Sequence, residues 1–571
     1  MTTPARSREP RVGQDEPRTP THSLPSYHEP TPETHRRLSR EEEAELALTR
    51  TRFSRGSRWF LIAMFLVTLA LVPTIQFLHD LARDGGAHRG VAAELANLLP
   101  TRSRVLPPAA KIKAAEKAIE RESVVSNWLL PRVQSVLTGV LGVGNEQVYI
   151  GRDGWLFYRP DVEYVTGAPF LDSERIRHLA RSGRHADSIP AILDFREQLG
   201  ARGIELIIVP APSKLTIEGE MLSRDAPSSI AQNSSFAEWK SRLESAGVKV
   251  FDPAPLLAER KKASGGAHQY LATDSHWRPE AMELVADRLA QLISPLATGE
   301  QGETRSRQIN TLGDIAAMLK LPKNHAIFRP ETVTIHEVAS GGGMSWRARK
   351  ESDILLLGDS FTNIYSLGAL GWGESAGFAE HLSRALGGRP LDCLVRNSDG
   401  AFATREMLQR ELARGRDRLA GKRYVVWEFA ARELAFGDWK VLPLKLNPPA
   451  VAQFFAPKAR EVIVVSGTVE SVSPVPRPES VPYQDHILSL HLVDLAGVPG
   501  IKAGSAEALV YSWSMRDNVW TPAARLQPGD RVTLRLQAWS DVSAELEKFN
   551  RSEIDDPAVQ LEEPSWGEIV P

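Results

Sequence analysis

A serine lies where an apolar stretch ends and a helical pattern begins. Residues 355 to 365 read LLLGDSFTNIY, so Ser360 directly follows a predicted buried strand. Its backbone N–H would then lie at a helix N-terminus, where unpaired amides favour negative charge on a tetrahedral intermediate. The same residues also suit simple helix capping, because Ser and Asp are common capping residues. A nucleophilic role for Ser360 therefore depends on a base elsewhere in the chain.

A candidate base lies in ATDSHWRPEAM, residues 272 to 282. A carboxylate at Asp274 can hold one ring nitrogen of His276 and leave the other nitrogen for Ser360. The alternative is that Asp274 caps the following helix and His276 is an ordinary surface or core residue. Both segments enter helices of one α/β region, and this favours a Ser-His-Asp set for acyl transfer.

Five short apolar runs predict the strands that must position these residues. Helical stretches separate some of them, and this alternation predicts a parallel sheet covered on both faces. The predicted strands are residues 204–209, 248–252, 353–357, 393–397 and 424–429. Ligands of such sheets bind beyond the carboxyl ends of the strands. The polar residues expected at that edge are Ser213, Lys214, Ser360, Asn397, Ser398, Asp399 and Glu428.

The overall composition excludes several classes of function. The chain has 571 residues, a length that predicts two or three folded units. Its net charge is only −2, with 25% charged residues, so nothing indicates nucleic acid as a partner. Cys393 is the single cysteine, which excludes an intramolecular disulfide and a cysteine-built zinc site.

The N-terminal part is predicted to anchor the chain in a membrane. Residues 59 to 78 form an uncharged apolar run of the length that a membrane-spanning helix needs. Four arginines precede this run, which by the positive-inside rule places the N-terminus in the cytoplasm. We therefore expect a disordered cytoplasmic tail at 1–56, an anchor at 57–80 and an extracytoplasmic remainder. A cleaved signal peptide is the alternative, but the long polar segment ahead of the run disfavours it.

Three further regions are predicted after the anchor. Residues 81–145 have a helical pattern that suits a stalk, 146–447 form the α/β domain, and 448–571 form a small β-sandwich or barrel. The aromatic residues of the β-rich region include Tyr511, Trp513, Trp520 and Trp539. They leave two interpretations open, a packing or oligomerisation module and a glycan-binding surface.

Five motifs together resemble the alginate O-acetylation proteins of the AlgX and AlgJ type, periplasmic members of the SGNH hydrolase superfamily. The motifs are GRDGWLFY (151–158), VPAPSKLTIE (209–218), TDSHW (273–277), LLLGDSFT (355–362) and VVWEFAARELAFGDW (425–439). They occur in the order of the family, with the Asp-His pair ahead of the nucleophile. The resemblance implies Ser360 as nucleophile, His276 as general acid/base and Asp274 as its orienting carboxylate.

Two more residues receive tentative oxyanion or substrate-binding roles. Ordinary SGNH enzymes complete the oxyanion hole with a Gly and an Asn, and Asn397 is the candidate for that Asn. Lys214 recurs in the resembling motif, so a structural or substrate-facing role is expected, with an ordinary surface lysine as the alternative. Neither a metal ion nor a cofactor is expected.

The resemblance implies an α/β fold with an SGNH-hydrolase-like parallel sheet. The regions predicted from the residues place one transmembrane helix before it and a small β-rich domain after it, and the β-rich region does not obviously match the carbohydrate-binding module of the alginate-binding members. It implies an O-acetyltransferase that uses a serine acyl-enzyme to modify an extracytoplasmic polysaccharide, alginate-like or another exopolysaccharide. The expected partners are the polymer and a membrane-embedded protein that supplies acetyl groups at the inner membrane. The alternatives are a polysaccharide O-acetyl esterase and a non-catalytic scaffold that binds the polymer in a secretion complex.

Overall fold

The structure is a computed structural model that describes most of the chain beyond the N-terminal region. The described residues are 54–84, 123–226, 230–294, 303–322, 324–340, 344–397, 400–448, 453–476, 478, 481, 483–501, 506–554 and 556–570. The predicted tail (1–56) and stalk (81–145) lie mostly outside them. The chain divides into two compact units, Met1–Val125 and Ser126–Pro571.

The helices up to residue 436 are mostly short, and they alternate with strands. They are α1 (Arg55–Asp84), α2 (Val124–Gly139), α3 (Arg159–Thr166), α4 (Ser173–Arg181), α5 (Ser188–Gly200), α6 (Lys214–Ile217), α7 (Phe236–Ser245), α8 (Pro253–Ala263), α9 (Pro279–Ile293), α10 (Asp314–Met318), α11 (Ser360–Asn363), α12 (Phe378–Ala385), α13 (Gly400–Ala413) and α14 (Glu433–Phe436).

Helix α1 contains the apolar run that predicted a membrane anchor. Within the described residues, no helix combines the length and apolar content that a membrane crossing requires. The predicted anchor at 57–80 is therefore not supported by the structure.

In the described part of the α/β region, the strands form one central sheet and two smaller ones. They are β1 (Val148–Ile150), β2 (Leu156–Tyr158), β3 (Glu205–Ala211), β4 (Lys249–Val250), β5 (Thr304–Thr311), β6 (Glu331–Ser340), β7 (Met344–Ser345), β8 (Ile354–Gly358), β9 (Asp392–Val395) and β10 (Tyr424–Ala430). The central sheet has the order β4-β3-β10-β8-β9 with every neighbouring pair parallel. This confirms the predicted parallel sheet and its five strands.

The central sheet is apolar on both sides because helices cover both faces. In β8, Ile354 and Leu356 belong to one core cluster, whereas Leu355 and Leu357 belong to another. Alternate side chains of a strand point to opposite faces, so a strand with both faces covered is apolar throughout. All five residues of β8 are buried. This packing holds the end of β8 in place, and the chain continues from there into the turn that begins at Ser360.

An antiparallel hairpin that the sequence did not predict packs against helices α9 and α12. Strands β5 and β6 pair from Thr304↔Val338 to Thr311↔Glu331. The mostly exposed, polar side chains of β5 gave no apolar run to detect. Because β5 ends at Thr311, the residues that follow it, Gly313 and Asp314, contact the loop that contains Asp274.

The C-terminal β-rich region is a closed barrel rather than a sandwich. Its elements are β11 (Gln453–Phe454), β12 (Val462–Val472), β13 (His486–Ala496), β14 (Ala506–Arg516), β15 (Val519–Trp520), β16 (Arg531–Ala538), α15 (Trp539–Leu546), β17 (Asn550–Ser552), α16 (Pro557–Gln560) and β18 (Pro564–Ile569). Strands β12, β13, β14, β18 and β16 pair in that order, and β16 pairs with β12 to close the ring. A five-stranded barrel of this kind corresponds to OB-fold architecture.

The four aromatic residues singled out in this region all pack against neighbouring side chains, three of them in one cluster. The Tyr511 and Trp539 rings lie 5.0 Å apart, and the Trp513 ring lies 5.5 Å from that of Trp566. Trp520 lies apart from this cluster, and its indole N–H donates to Pro476 O at 2.9 Å. Trp520 is half-buried and packs against the apolar core of the barrel.

The barrel packs directly on the α/β domain within the second unit. Arg347 donates from Nη1 to Leu526 O and from Nη2 to Ala524 O, both at 2.7 Å. Lys350 pairs with Glu470 and Arg416 with Asp494 across the same junction. These contacts join the two domains through charged groups that are largely removed from solvent.

Candidate active site

The Asp274 carboxylate is the most completely hydrogen-bonded group of the site. Its Oδ1 accepts from Nδ1 of His276 at 2.6 Å and from the His276 backbone N–H at 3.1 Å. Its Oδ2 accepts from the Asp314 backbone N–H at 2.9 Å and from Nε1 of Trp372 at 2.8 Å. Burial favours the neutral acid, but the hydrogen bond and charge of His276 outweigh it, so the pKa of Asp274 is lowered. Asp274 is therefore held as a carboxylate.

His276 is oriented with one ring nitrogen bonded and the other free. Burial alone would lower its pKa, yet the hydrogen bond to Asp274 and the charge of Asp274 raise it overall. Its Nε2 is buried without a hydrogen-bond partner among the described residues. The predicted pairing of Asp274 with His276 is thus present, and Nε2 is the atom available to take a proton.

Ser360 is the first residue of α11, at the end of β8. Asp359 caps this single turn, since its Oδ1 accepts from the Phe361 N–H at 2.8 Å. Its Oδ2 accepts from the Ala430 N–H, also at 2.8 Å, and thereby ties the turn to the end of β10. The Ser360 side chain is half-buried, so the serine lies at the carboxyl edge of the sheet where the sequence placed it.

The Ser360 turn and the Asp274–His276 loop contact each other through their neighbouring residues. The rings of His276 and Phe361 lie 4.7 Å apart. Trp277 Nε1 donates to Phe361 O at 3.2 Å, and Tyr365 donates from its hydroxyl to Trp277 O at 2.6 Å. Ser360 does not occupy the free Nε2 of His276, since that nitrogen has no partner. A catalytic hydrogen bond of this type commonly forms only when substrate binds.

Asp314 is a site residue that the sequence reasoning missed. Its Oδ1 accepts from the Ser275 N–H at 2.8 Å and its Oδ2 from the Ser275 hydroxyl at 2.7 Å. Its side chain is 35% exposed and lies 4.0 Å from Nδ1 of His276. Partial burial and the charge of Asp274 raise the pKa of Asp314 to about 6. The signal available in the sequence was a second Gly-Asp pair ahead of a helix, at Gly313 and Asp314.

Trp372 is the second residue that was missed. Its indole N–H reaches Asp274 across 98 positions of the chain, and its side chain is fully buried. In the sequence, Trp372 cannot be distinguished from an ordinary buried core residue, so no local pattern indicates its contact with Asp274.

Lys214 lies beneath the loop rather than facing a ligand. Its side chain is fully buried, and Nζ donates to Leu156 O at 2.6 Å, Ala272 O at 2.8 Å and Asp274 O at 3.0 Å. Burial lowers the pKa of Lys214 to about 7, although nearby carboxylates, Asp274 first, oppose this. With three donors directed to three backbone carbonyls, Lys214 does not fit the expected oxyanion or substrate-binding role. Its position fits a structural role that supports the Asp274 loop.

Asn397 follows β9 and lies against the Ser360 helix. Its Oδ1 accepts from Nδ2 of Asn363 at 3.0 Å, and the residue is half-buried. That bond leaves the amide nitrogen of Asn397 as its donor, which is the group an oxyanion needs. Ser398 and Asp399, also expected at this edge, lie outside the described residues.

Among the residues that the structure describes, two groups of side chains have the spacing that a metal ion would use. Asp274, His276 and Asp314 form one group, and Glu218, Glu220 and His268 form the other, each with ligand atoms within 4.8 Å of one another. In the first group, Nδ1 of His276 and the carboxylate oxygens of Asp274 and Asp314 are already hydrogen-bonded. In the second, the Lys261 ammonium group contacts both glutamates. Both groups therefore fit hydrogen-bonded ion clusters.

The α/β region is similar to known proteins. Residues 148–431 match the family described as "SGNH hydrolase-like domain, acetyltransferase AlgX". A probable alginate O-acetylase AlgJ from Azotobacter vinelandii is 26% identical over 310 residues, which are 52% of this chain and 71% of that protein. The protein of the same name from Pseudomonas aeruginosa is 29% identical over 150 residues, 26% of this chain and 34% of that protein. The match to the latter thus spans about one third of the relative's length.

Solved structures also overlap with this chain. The O-acetyltransferase domain of Pseudomonas putida AlgJ is 20% identical with a TM-score of 0.38, and the overlap covers 50% of this chain and 92% of that one. Pseudomonas aeruginosa AlgX is 16% identical with a TM-score of 0.35, over 68% of this chain and 91% of that one.

Proposed function

We propose that this chain is a polysaccharide O-acetyltransferase, because its residues 148–431 match the family described as an SGNH hydrolase-like domain of the acetyltransferase AlgX. The observation that carries the proposal is the bonded pair of Asp274 and His276, with a free Nε2 beside the turn that bears Ser360. A histidine held in this way can act as base and then as acid without leaving its place.

The reaction would proceed in two acyl transfers. Oγ of Ser360 attacks the acetyl carbonyl of the donor while Nε2 of His276 takes the serine proton. The tetrahedral intermediate collapses, the bond to the donor breaks, and His276 returns the proton to the leaving group. A sugar hydroxyl then attacks the acetyl-serine and gives its proton to His276. Collapse releases the O-acetylated sugar, and Ser360 recovers its proton from His276.

The other residues would stabilise charge during these steps. Asp274 would stabilise the imidazolium that forms whenever His276 holds the extra proton. The amide of Asn397, held by Asn363, and the backbone N–H of Ser360 are the proposed oxyanion donors. Lys214 is not among these oxyanion donors, because its ammonium group donates to three backbone carbonyls.

Substitution of Ser360 tests the nucleophile. We expect Ser360→Ala to abolish release of p-nitrophenol from p-nitrophenyl acetate and transfer of acetyl groups to an oligosaccharide, both followed with the purified protein. Ser223, an exposed serine outside the site, provides the control variant Ser223→Ala with unchanged rates. Mass spectrometry of the oligosaccharide separates transfer, which adds acetyl groups, from hydrolysis, which only removes them. Wild-type rates in Ser360→Ala would show the nucleophile assignment to be wrong.

The partners and the cellular location belong to the same proposal. The acceptor would be an exopolysaccharide outside the cytoplasm, and a membrane-embedded protein would supply the acetyl group. The support is the arginine-flanked apolar run of residues 59 to 78 and the names of the relatives, which are alginate O-acetylases. Alkaline phosphatase fused after residue 571 should be active in cells if the domain lies outside the cytoplasm. An inactive but full-length fusion would exclude this location.

A further inference from the structure

A buried glutamate at the end of β10 contacts the turn that bears Ser360. Oε2 of Glu428 accepts from the Asp359 backbone N–H at 3.1 Å and from the Thr362 hydroxyl at 2.8 Å. These two donors flank Ser360 in the chain. The Glu428 side chain is 1% exposed, and its register partner in β3 is Val209. Glu428 therefore holds the turn by hydrogen bonds from the buried end of β10.

The surroundings of Glu428 do not suit a negative charge. Its Oε1 is buried without a hydrogen-bond partner among the described residues. No cation pairs with Glu428 in the described part of the chain, and the nearby Arg432 is bonded to Asp161 at 3.1 Å. The charge that acts on Glu428 is that of the Asp359 carboxylate, whose own oxygens accept from the backbone N–H groups of Phe361 and Ala430. A buried carboxylate without a cation is strongly disfavoured.

The turn is packed so tightly that small changes in this contact would displace it. A Cβ added to Gly358 would lie 2.3 Å from Oγ1 of Thr362, so the strand end and the helix approach as closely as atoms allow. In this packing the Thr362 hydroxyl donates to Glu428. Loss of the accepting oxygen would leave two buried donors without a partner at the residues on either side of Ser360.

We propose that Glu428 is a positioning residue that works as a neutral carboxylic acid, holding the Asp359–Thr362 turn so that Ser360 faces His276. This role rests on the proposed acyltransferase function. Burial, followed by the charge of Asp359, raises the pKa of Glu428 well above its ordinary value, which agrees with the geometry. The neutral form keeps Oε2 as an acceptor and removes the repulsion with Asp359.

Two substitutions separate a neutral acid from a charged one. Glu428→Gln keeps the size, the neutral state and an accepting oxygen, so we expect kcat for p-nitrophenyl acetate within about threefold of wild type. Glu428→Leu removes the acceptor, and we expect kcat to fall about 10²-fold with KM nearly unchanged, because the nucleophile is displaced rather than the substrate lost. Between pH 6 and about 9 the Gln variant should keep the wild-type pH profile. A Gln variant as slow as the Leu variant would overturn the proposal.

A second variant covers the case in which Glu428→Leu does not fold. Thr362→Val keeps the shape of the side chain and removes one donor to Oε2, and we expect kcat to fall about fivefold to tenfold with a folded protein. Unchanged kcat in this variant would show that the contact does not position Ser360.

The protonation state can be measured without any activity. The infrared difference spectrum between wild type and Glu428→Gln at pH 7.5 should contain the carbonyl band of a protonated carboxyl group. Glu411 serves as the control because it is bonded to Arg416 at 2.7 Å, so Glu411→Gln should give no such band. Absence of the band for Glu428 overturns the neutral-acid assignment. A wild-type protein without acyl-transfer activity that still shows the band would instead contradict the proposed function alone.

Discussion

Three carboxyl groups around the Ser360 turn differ in their hydrogen-bond partners. Asp274 accepts four hydrogen bonds and is held as a carboxylate. Glu428 accepts two and has no cation beside it in the described part of the chain. Asp314 lies between these cases, with bonds from Ser275 and a pKa raised to about 6 by burial and by Asp274. Burial, hydrogen-bond partners and neighbouring charges together, rather than residue type, determine the charge of each group.

At this scale we predict the effect of Asp274→Asn on rate and pH dependence. His276 must be neutral to act as base, so kcat/KM rises with pH through the pKa of His276 in the free protein. Removal of the Asp274 charge lowers that pKa, because Asp274 contributes most to raising it against the effect of burial. We expect kcat to fall about 10³- to 10⁴-fold and the acidic limb of the profile to shift to lower pH. Rates measured from pH 5 to about 9 provide the check.

The exposed Asp225 offers a matched control for this substitution. Asp225→Asn should leave both the rate and the acidic limb unchanged. An acidic limb that stays in place in Asp274→Asn would show that His276 is not the titrating base.

Short connections, rather than long helices, position the candidate site. Helix α11 is a single turn, and α10 begins directly beside the Asp274 loop. Hairpin β5–β6 leads into this connection, where the Gly313 N–H donates to Oγ1 of Thr273 at 3.0 Å. A Cβ on Gly313 would lie 2.4 Å from Cβ of Asp274 and 2.5 Å from Thr273 O. Only glycine permits the two loops to approach this closely.

At the scale of these elements we predict that Gly313→Ala disrupts the site. The added methyl group must push the Asp274 loop away from α10, which weakens the hydrogen bond from the Asp314 N–H to Asp274. We expect kcat to fall about 10²-fold, together with a lower melting temperature. Steady-state kinetics and thermal unfolding provide the measurements.

Gly200, at the end of α5, has open space around its Cα and provides the control. Gly200→Ala should leave kcat unchanged and keep or raise the melting temperature. If Gly313→Ala has the kinetics of wild type, the close approach of the loops is not needed for catalysis.

At the scale of the whole second unit, the barrel and the α/β domain enclose a groove between them. Its volume is about 350 Å³, and it is lined by the hairpin residues Arg305, Arg307 and Glu337, by Glu374 and Ser375, and by the barrel residues Pro478, Asn518, Val519, Trp520 and Arg525. Oδ1 of Asn518 is buried there without a partner among the described residues. An indole ring, guanidinium groups and an unpartnered amide oxygen together suit the recognition of a sugar polymer.

For this groove we predict a role in binding the polymeric acceptor. Arg305→Ser combined with Trp520→Ala should raise the KM for a polymeric acceptor about tenfold. Hydrolysis of p-nitrophenyl acetate should be unchanged, since that ester does not reach the groove. Acetyl transfer to polymers and to short oligosaccharides, measured in parallel, gives the comparison.

Arg531, an exposed arginine of β16 that does not line the groove, supplies the control variant Arg531→Ser. It should match wild type with every acceptor. A double variant with unchanged KM for the polymer would exclude the groove as an acceptor site.

The sequence by itself determined the features that depend on neighbours along the chain. Apolar runs identified all five strands of the central sheet, and the strand-to-helix position of Ser360 followed from the pattern around residue 358. The Asp274–His276 pair was also recognisable, because two residues apart is close enough for a direct hydrogen bond. Local spacing and periodicity are enough for such features.

The tertiary structure alone decided the features that depend on contacts between distant residues. Trp372 and Asp314 reach the Asp274 loop from 98 and 40 positions away, and Glu428 reaches Asp359 across 69. Lys214 followed the predicted strand, yet only the packing around it shows that its ammonium group is enclosed by backbone carbonyls. The barrel closes through pairing of β12 with β16. The strand pattern in the sequence would equally allow a sandwich, in which this pair does not close a ring. Long-range pairing and burial depend on the whole fold, so no short stretch of sequence can specify them.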